Sequence, residues 1–301
     1  MLAMLTAQSS CKINLFLNVF RRREDGFHEL ETVMQPIALF DDLTFERTNS
    51  SGIELTCSHP EVPVGPENLV CRAAELFQAE IRSSDGLRIH LEKRLPVAAG
   101  IGGGSGNAAT ALLALNQLHE DAVDGGRLSE LAAQLGSDVP FFLDSGPGIA
   151  TGRGEVVESV SEFELFRNAG VLLVNPGFGV ATPWAYQNLR LDEPGAISDN
   201  SLTDFVEVLR RGDWESVSSG LFNSLEQPVF RKYPVLKIIR SEMIEAGARG
   251  ALLSGSGATV FGLVENLEEG QGIRQRFLDA YGAECWSQVV PLSSGSPTSR
   301  A

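Results

Sequence analysis

The chain has only four cysteines, at 11, 57, 71 and 285, with no CxxC pair and no histidine beside them at metal-ligand spacing. Neither a disulfide framework nor a zinc site is implied, and reduced, packed thiols are expected. No apolar run approaches the roughly 18 residues of a membrane span. The start, MLAMLTAQSS, has no basic segment followed by a sustained apolar core, so no secretory leader is expected and the cytoplasm is the expected compartment. Basic side chains are scarce: 24 Lys and Arg stand against 39 Asp and Glu, a formal charge of −15. A nucleic-acid backbone demands the opposite sign, so no such partner is expected. An anionic small ligand would have to be held by local dipoles and a few placed cations.

With 301 residues the chain has room for two ordinary domains, each with its own core. CKINLFLNVF puts Cys11, Ile13, Leu15, Leu17 and Val19 on one face and Lys12, Asn14 and Asn18 on the other, the period of a strand with one buried face. Asp25-Gly26 is a turn pair ahead of FHELETVMQPIALF, and Asp41-Asp42 reads as a second turn before LTFER. PENLVCRAAELFQAEI has helical spacing, LRIHLEK alternates like a strand, and AATALLALNQL carries an apolar stripe over about three turns of helix. A further helix, LSELAAQL, is closed by Gly136.

The glycine-rich GPGIATGRGEVVESV and the acidic SEFEL after it mark a boundary near 155–165. Residues 1–160 and 161–290 are expected as two domains, with 291–301 as a disordered tail. The second half shows a strand at 171–175, helices near 182–190, 201–210, 234–247 and 268–281, and two short strands around a glycine turn in GALLSGSGATVFGLV. Strands and helices segregate unevenly instead of alternating, so the expected class is α+β.

Five of the seven residues from Gly100 to Gly106 are glycine, directly in front of a helical segment. Without Cβ atoms the backbone N–H groups of such a loop can converge on an anion, and the helix N-terminus adds about half a positive charge. A tight turn between strand and helix needs only one or two glycines. The GxxxxGK[ST] loop is excluded because Asn107, not lysine, follows Gly106. The dinucleotide pattern GxGxxG is only approximated, and no acidic strand end lies about 20 residues on.

PVAAGIGGGSGNAA resembles the central motif of the GHMP small-molecule kinases (galactose, homoserine, mevalonate and phosphomevalonate kinases), which wraps the ATP phosphates. An N-terminal lysine strand and LLSGSGATVFGL resemble the family's two other motifs, so the likeness covers nearly the whole chain. CKINLFL, DGFHELETVMQPI, ENLVCRAA, GSDVPFFL and NPGFGVATPWAY are similar to the members that phosphorylate a cytidine diphosphate-linked methylerythritol. Two positions depart from the pattern: Gly106 stands where serine is commoner, and Cys11 where alanine is usual.

The resemblance implies a two-domain kinase, its first domain ribosomal-protein-S5-domain-2-like and its second ferredoxin-like, using ATP with Mg²⁺ on a small-molecule alcohol as a monomer or weak dimer. By the same resemblance Pro96, Val97, Ala98, Ala99, Gly100, Ile101, Gly102, Gly103, Gly104, Ser105 and Gly106 hold ATP, with Asn68 near the adenine. Asp138 is the expected base and Lys12 its partner. Asn14, Phe27, His28, Thr182 and Tyr186 are the expected acceptor contacts, Phe27 stacking on the cytosine and Tyr186 favoured over Trp184 as its second slice.

Taken alone, several of these residues have plainer readings. An Asp two residues before a Pro reads as a helix N-cap, as do Asn68 and Ser105, and Ser254–Gly257 reads as a turn that packs against the first glycine loop. Another GHMP kinase, of homoserine or mevalonate type, or a non-catalytic nucleotide-binding member of the fold are the alternatives. Phe27 and His28 speak against the first, and intact Lys12 and Asp138 against the second.

Overall fold

The computed structural model describes residues 4–282 and 285–292, and the backbone of 299–300. β1 (Met4–Arg22) and β2 (His28–Thr48) form a long antiparallel hairpin. Its turn needs Gly26 at φ +87°, and the Asp25 carboxylate accepts from Phe27 N at 3.1 Å. β3 (Ile53–Cys57), α1 (Leu69–Ile81) and β4 (Gly86–Glu92) follow, β4 pairing antiparallel with β2 and parallel with β3. α2 (Gly103–Leu118) and α3 (Gly125–Leu135) join α1 over one face of this sheet, where Phe77, Leu112 and Leu131 meet Phe45, Ile89 and Leu91. β5 (Gly148–Thr151) and β6 (Val156–Ser159) make a hairpin attached to β2.

The second sheet begins with β7 (Gly170–Asn175), whose VLLVN is buried on both faces. Four helices and a short strand follow: α4 (Thr182–Gln187), α5 (Leu202–Arg211), α6 (Trp214–Gly220), β8 (Phe222–Asn223) and α7 (Glu226–Lys232). α8 (Pro234–Glu245), β9 (Gly250–Leu253), β10 (Val260–Val264), α9 (Leu267–Tyr281) and β11 (Trp286–Pro291) complete it. The antiparallel order β11-β7-β10-β9 with connections β7-α8-β9-β10-α9-β11 is the ferredoxin-like arrangement, with α4 to α7 inserted after β7.

The two sheets pack face to face. Ile13 and Leu15 of β1 share a buried cluster with Val171 and Leu173 of β7 and Phe261 and Leu263 of β10. The other face of the second sheet, Leu172, Val174 and Val260, packs on Leu236, Ile239 and Met243 of α8 and Phe277 of α9. The halves are also stitched by hydrogen bonds and rings: β8 pairs in parallel with β1, and Phe16 lies 5.5 Å from Phe205 of α5. No described helix is long and apolar enough to cross a membrane.

Three expectations change. β2 runs unbroken through Asp41 and Asp42, which pair with Ser9 and Gln8 of β1, because interior donors take up the Asp41 carboxylate and leave no turn for it to close. Cys11 to Val19 is buried on both faces, since its polar face looks into a cavity wall instead of open solvent. Of the tail expected to be disordered, Pro291 ends β11 and Leu292 N donates to Ala169 O. Ser299–Arg300 pairs with Thr6 and Ala7 as β12, while 293–298 and 301 lie outside the described residues.

Leu173→Ala removes a fully buried side chain from the cluster shared by the two sheets. It is expected to lower stability by about 2–5 kcal/mol, read as a shift of the urea unfolding midpoint. An unchanged midpoint would mean that the sheets do not depend on this contact.

Candidate active site

A cavity of about 1230 Å³ lies where the two sheets and α2 meet, and residues of both halves line it. One wall is the glycine loop. Gly100 and Gly102 take φ +78° and +73°, in the left-handed region. A Cβ on Gly100 would stand 2.1 Å from Ser254 O and 2.7 Å from Gly257 N, so only glycine permits this approach of two backbones. Ser254 Oγ donates to Gly100 O at 3.0 Å and Thr259 N to Ala99 O at 3.1 Å. The second glycine turn therefore shapes the first.

α2 starts at Gly103 with Gly102 as its N-cap, and no side chain caps it. Its first-turn N–H groups lack intrahelical acceptors, and Gly103, Gly104 and Ser105 line the cavity. Ser105 is thus neither the first helical residue nor a cap, because a left-handed glycine occupies the cap position. Pro96, Val97 and Ala98 also line the cavity, whereas Ala99 and Ile101 bury their side chains in the core between the sheets and offer the cavity only backbone. Gly106 is outside the lining: a Cβ there would meet Ser10 O at 2.4 Å, so this glycine serves the packing of α2 on β1. Asn68 is an N-cap that also faces the cavity. Its Oδ1 accepts from Val70 N at 2.8 Å as the N-cap of α1, and the residue lines the cavity.

Beside the loop lie Lys12, Asn14 and Asp138. Lys12 N donates to Ile101 O at 3.0 Å, which fixes β1 against the loop. Its Nζ donates to Asn14 Oδ1, lies 3.5 Å from Gly100 O and stands 3.6 Å from Asp138 Oδ2. Asn14 is held in turn by donating to Thr32 Oγ1 at 2.8 Å. The lysine side chain is 4% exposed and the aspartate 41%, so a buried cation faces a carboxylate open to the cavity. Asp138 is free for this because Val139, not Asp138, caps the 3-10 turn Pro140–Leu143.

At the other end, the His28 and Tyr186 rings lie 5.2 Å apart at 35°. Burial, helped by the Arg22 guanidinium, holds the His28 imidazole below its ordinary value, so at neutral pH it has one donor and one acceptor nitrogen. Burial and then the Asp138 charge push the Tyr186 phenol up and keep it protonated. Phe27 is half exposed, with the Arg153 guanidinium 4.6 Å over its ring. Trp184 is outside the cavity lining and packs under the Lys232 ammonium at 4.0 Å. Thr182 lines the cavity, its Oγ1 2.9 Å from Ser256 Oγ.

Sequence reasoning missed four side chains. Lys93 lines the cavity beside α2, its Nζ 3.4 Å from where a Cβ on Gly103 would stand, and it is paired with the buried Asp41. Arg22 and Arg153 line the same cavity as Phe27 and His28. The only local signal was the basic pair Lys93-Arg94 directly before the loop.

Residues 68–146 match the GHMP kinases N terminal domain and residues 205–283 the GHMP kinases C terminal domain. A 4-diphosphocytidyl-2-C-methyl-D-erythritol kinase of Synechococcus sp. (strain JA-3-3Ab) is 42% identical over 269 residues, covering 87% of this chain and 86% of that one. The enzyme so named from Pelotomaculum thermopropionicum is 43% identical, over 91% of this chain and 93% of its own length. A crystal structure of 4-(cytidine 5'-diphospho)-2C-methyl-D-erythritol kinase superposes with a TM-score of 0.78 at 38% identity, covering 95% of this chain and 99% of that chain. A homoserine kinase from Cytophaga hutchinsonii shares the fold at a TM-score of 0.77 but only 17% identity, over 99% of this chain and 97% of that one. Two domain matches in order and identity above 40% along most of the length leave one assignment: this chain belongs to the 4-diphosphocytidyl-2-C-methyl-D-erythritol kinase family of the GHMP kinases.

Proposed function

We propose that this kinase transfers the γ-phosphoryl group of ATP to the 2-hydroxyl of 4-(cytidine 5'-diphospho)-2-C-methyl-D-erythritol. The observation that carries the reading is the junction of an uncapped helix N-terminus, a buried lysine and an open carboxylate in one cavity. The first-turn N–H groups of α2 and the loop backbone receive the β- and γ-phosphates. Mg²⁺ would be carried in by the nucleotide and would neutralise charge at its phosphates, with Ser105 on this wall the side chain placed to meet it. Lys93 adds a cation at this end, and Asn68 lies beside the adenine.

Asp138 accepts the proton of the acceptor hydroxyl as its oxygen bonds to the γ-phosphorus, while the bond from that phosphorus to the β–γ bridging oxygen breaks and ADP leaves. Lys12 faces the Asp138 carboxylate and balances charge on the transferring group, and Asn14 orients Lys12 and the acceptor. Phe27 and Tyr186 take the cytosine between them, His28 hydrogen-bonds its edge, and Thr182 meets the diphosphate. The neutral state of His28 supports this, since its ring can both donate and accept.

We divide the chain at about residue 160 into a nucleotide-binding domain and a second domain, a division supported by the strands of the second sheet, which all fall after Gly170. The four unpaired thiols support a cytoplasmic protein, and a site built within one chain supports a monomer or weak dimer as the active form.

Purified protein with MgATP and a panel of alcohols tests the reading through ADP release. Turnover is expected with the cytidylyl acceptor, and turnover of homoserine or mevalonate in its place would sink the assignment. Asp138→Asn should lower kcat by about 10²–10⁴-fold with ATP affinity retained. A variant near the wild-type rate would remove Asp138 from the role of base. His28→Ala should raise the acceptor KM about tenfold and leave the ATP KM nearly unchanged; the reverse pattern would take His28 out of the cytosine site.

A further inference from the structure

The Asp41 carboxylate is fully buried and accepts four hydrogen bonds. Lys93 Nζ and Asn107 Nδ2 donate to its Oδ2, the latter at 3.0 Å, and Arg94 N and Leu95 N donate to its Oδ1 at 2.8 and 3.0 Å. Asn107 also donates to Ser9 Oγ at 2.9 Å. These donors belong to the segment entering the glycine loop and to α2, and Ser9 belongs to β1. One side chain in the middle of β2 therefore ties together the segment entering the glycine loop, α2 and β1.

Asp41 itself is outside the cavity lining, whereas Lys93 and Asn107 are part of it. A lysine ammonium rides on a flexible four-carbon stem, yet Lys93 is only 6% exposed and is held next to the first turn of α2. A cation there faces the positive end of the helix dipole and is unfavourable without a compensating negative charge. The Asp41 carboxylate offsets that repulsion and holds the ammonium in place before a polyphosphate binds.

We infer that Asp41 is a positioning residue for the phosphoryl donor, acting through Lys93 and through the two loop N–H groups it fixes. The inference rests on the reading of this wall as the ATP site. It predicts that the two residues act as one unit on ATP and leave the acceptor end alone.

The test is a cycle of Asp41→Asn, Lys93→Met and the double variant, with ATP binding followed by calorimetry without acceptor, the acceptor KM by ADP release, and folding by thermal unfolding. Each single variant should weaken ATP binding about tenfold or more, with the acceptor KM changed less than about twofold. On the Lys93→Met background, Asp41→Asn should add less than about threefold, because coupled residues are not additive. A purely structural Asp41 would instead lower ATP affinity further in that background. A larger further loss there, or either single variant within about threefold of wild type, would overturn the inference.

If Asp41→Asn leaves Lys93 unpaired and the protein does not fold, Lys93→Met and the double variant decide the question, since neither holds an unpaired buried ammonium. Wild-type protein that binds no ATP would overturn the donor-site reading itself and the inference with it. Wild type that binds ATP while Asp41→Asn binds it equally well overturns the inference alone.

Discussion

Gly100 lies so close to the Ser254–Gly257 turn that no side chain fits between them, and the rest of the site depends on that approach. The two turns belong to different halves of the chain, so their separation is set by the packing of one sheet on the other through Ile13, Leu15, Val171, Leu173, Phe261 and Leu263. Close-packed interiors resist small displacements. A shift of the sheets would therefore open the contact and let the loop relax. The same geometry places Lys12 under the loop, where a Cβ on Gly102 would lie 3.3 Å from its Cε. Core packing and the position of the Lys12 ammonium are thus one constraint.

In a chain of formal charge −15, three of the cations on the cavity wall each have their own anchor. Lys12 is held by Asn14 and Asp138, Lys93 by Asp41, and Arg153 by Glu155, whose carboxylate also accepts from the Arg153 backbone N–H. Exposed ion pairs are worth little, about 0–1 kcal/mol each. The two lysine pairs differ because the lysines are nearly out of water, so removing one partner leaves a buried charge, which is costly.

Signals that act within a few residues were legible in the sequence. The alternation Cys11 to Val19, the helical stripes of α1, α2 and α9, and both glycine turns stand where their periodicity or composition put them. What failed depends on partners far away in the chain. Asp41-Asp42 has the composition of a turn, but donors 52 to 66 positions on decide its role. β5, β6 and β8 are too short for a period to register and exist because neighbouring strands offer them a ladder. Glycine density cannot tell which glycine faces a ligand and which faces a helix crossing, so Gly106 was counted in the cradle. Trp184 and Tyr186 are two positions apart on one helix and so point to different sides. The family resemblance favours the second as the stacking ring, and of the two only Tyr186 lines the cavity.

The homoserine kinase neighbour, with the same fold at 17% identity, limits what architecture can explain. A sheet pair, a glycine loop and a helix N-terminus form a donor site that suits any ATP-dependent alcohol kinase, and a fold by itself does not choose an acceptor. On the reading proposed above, the choice lies at the far end of the cavity, which Phe27, His28, Arg153 and Tyr186 line. All four are planar groups, in two close pairs, His28 against Tyr186 and Arg153 over Phe27, which form flat surfaces suited to an aromatic base and poorly suited to a small aliphatic acid. The hairpin turn at Asp25-Gly26 and the turn at Gly152–Gly154 carry Phe27 and Arg153, so under the proposed reading acceptor preference would reside in two surface turns, while the glycine-loop wall is fixed by core packing.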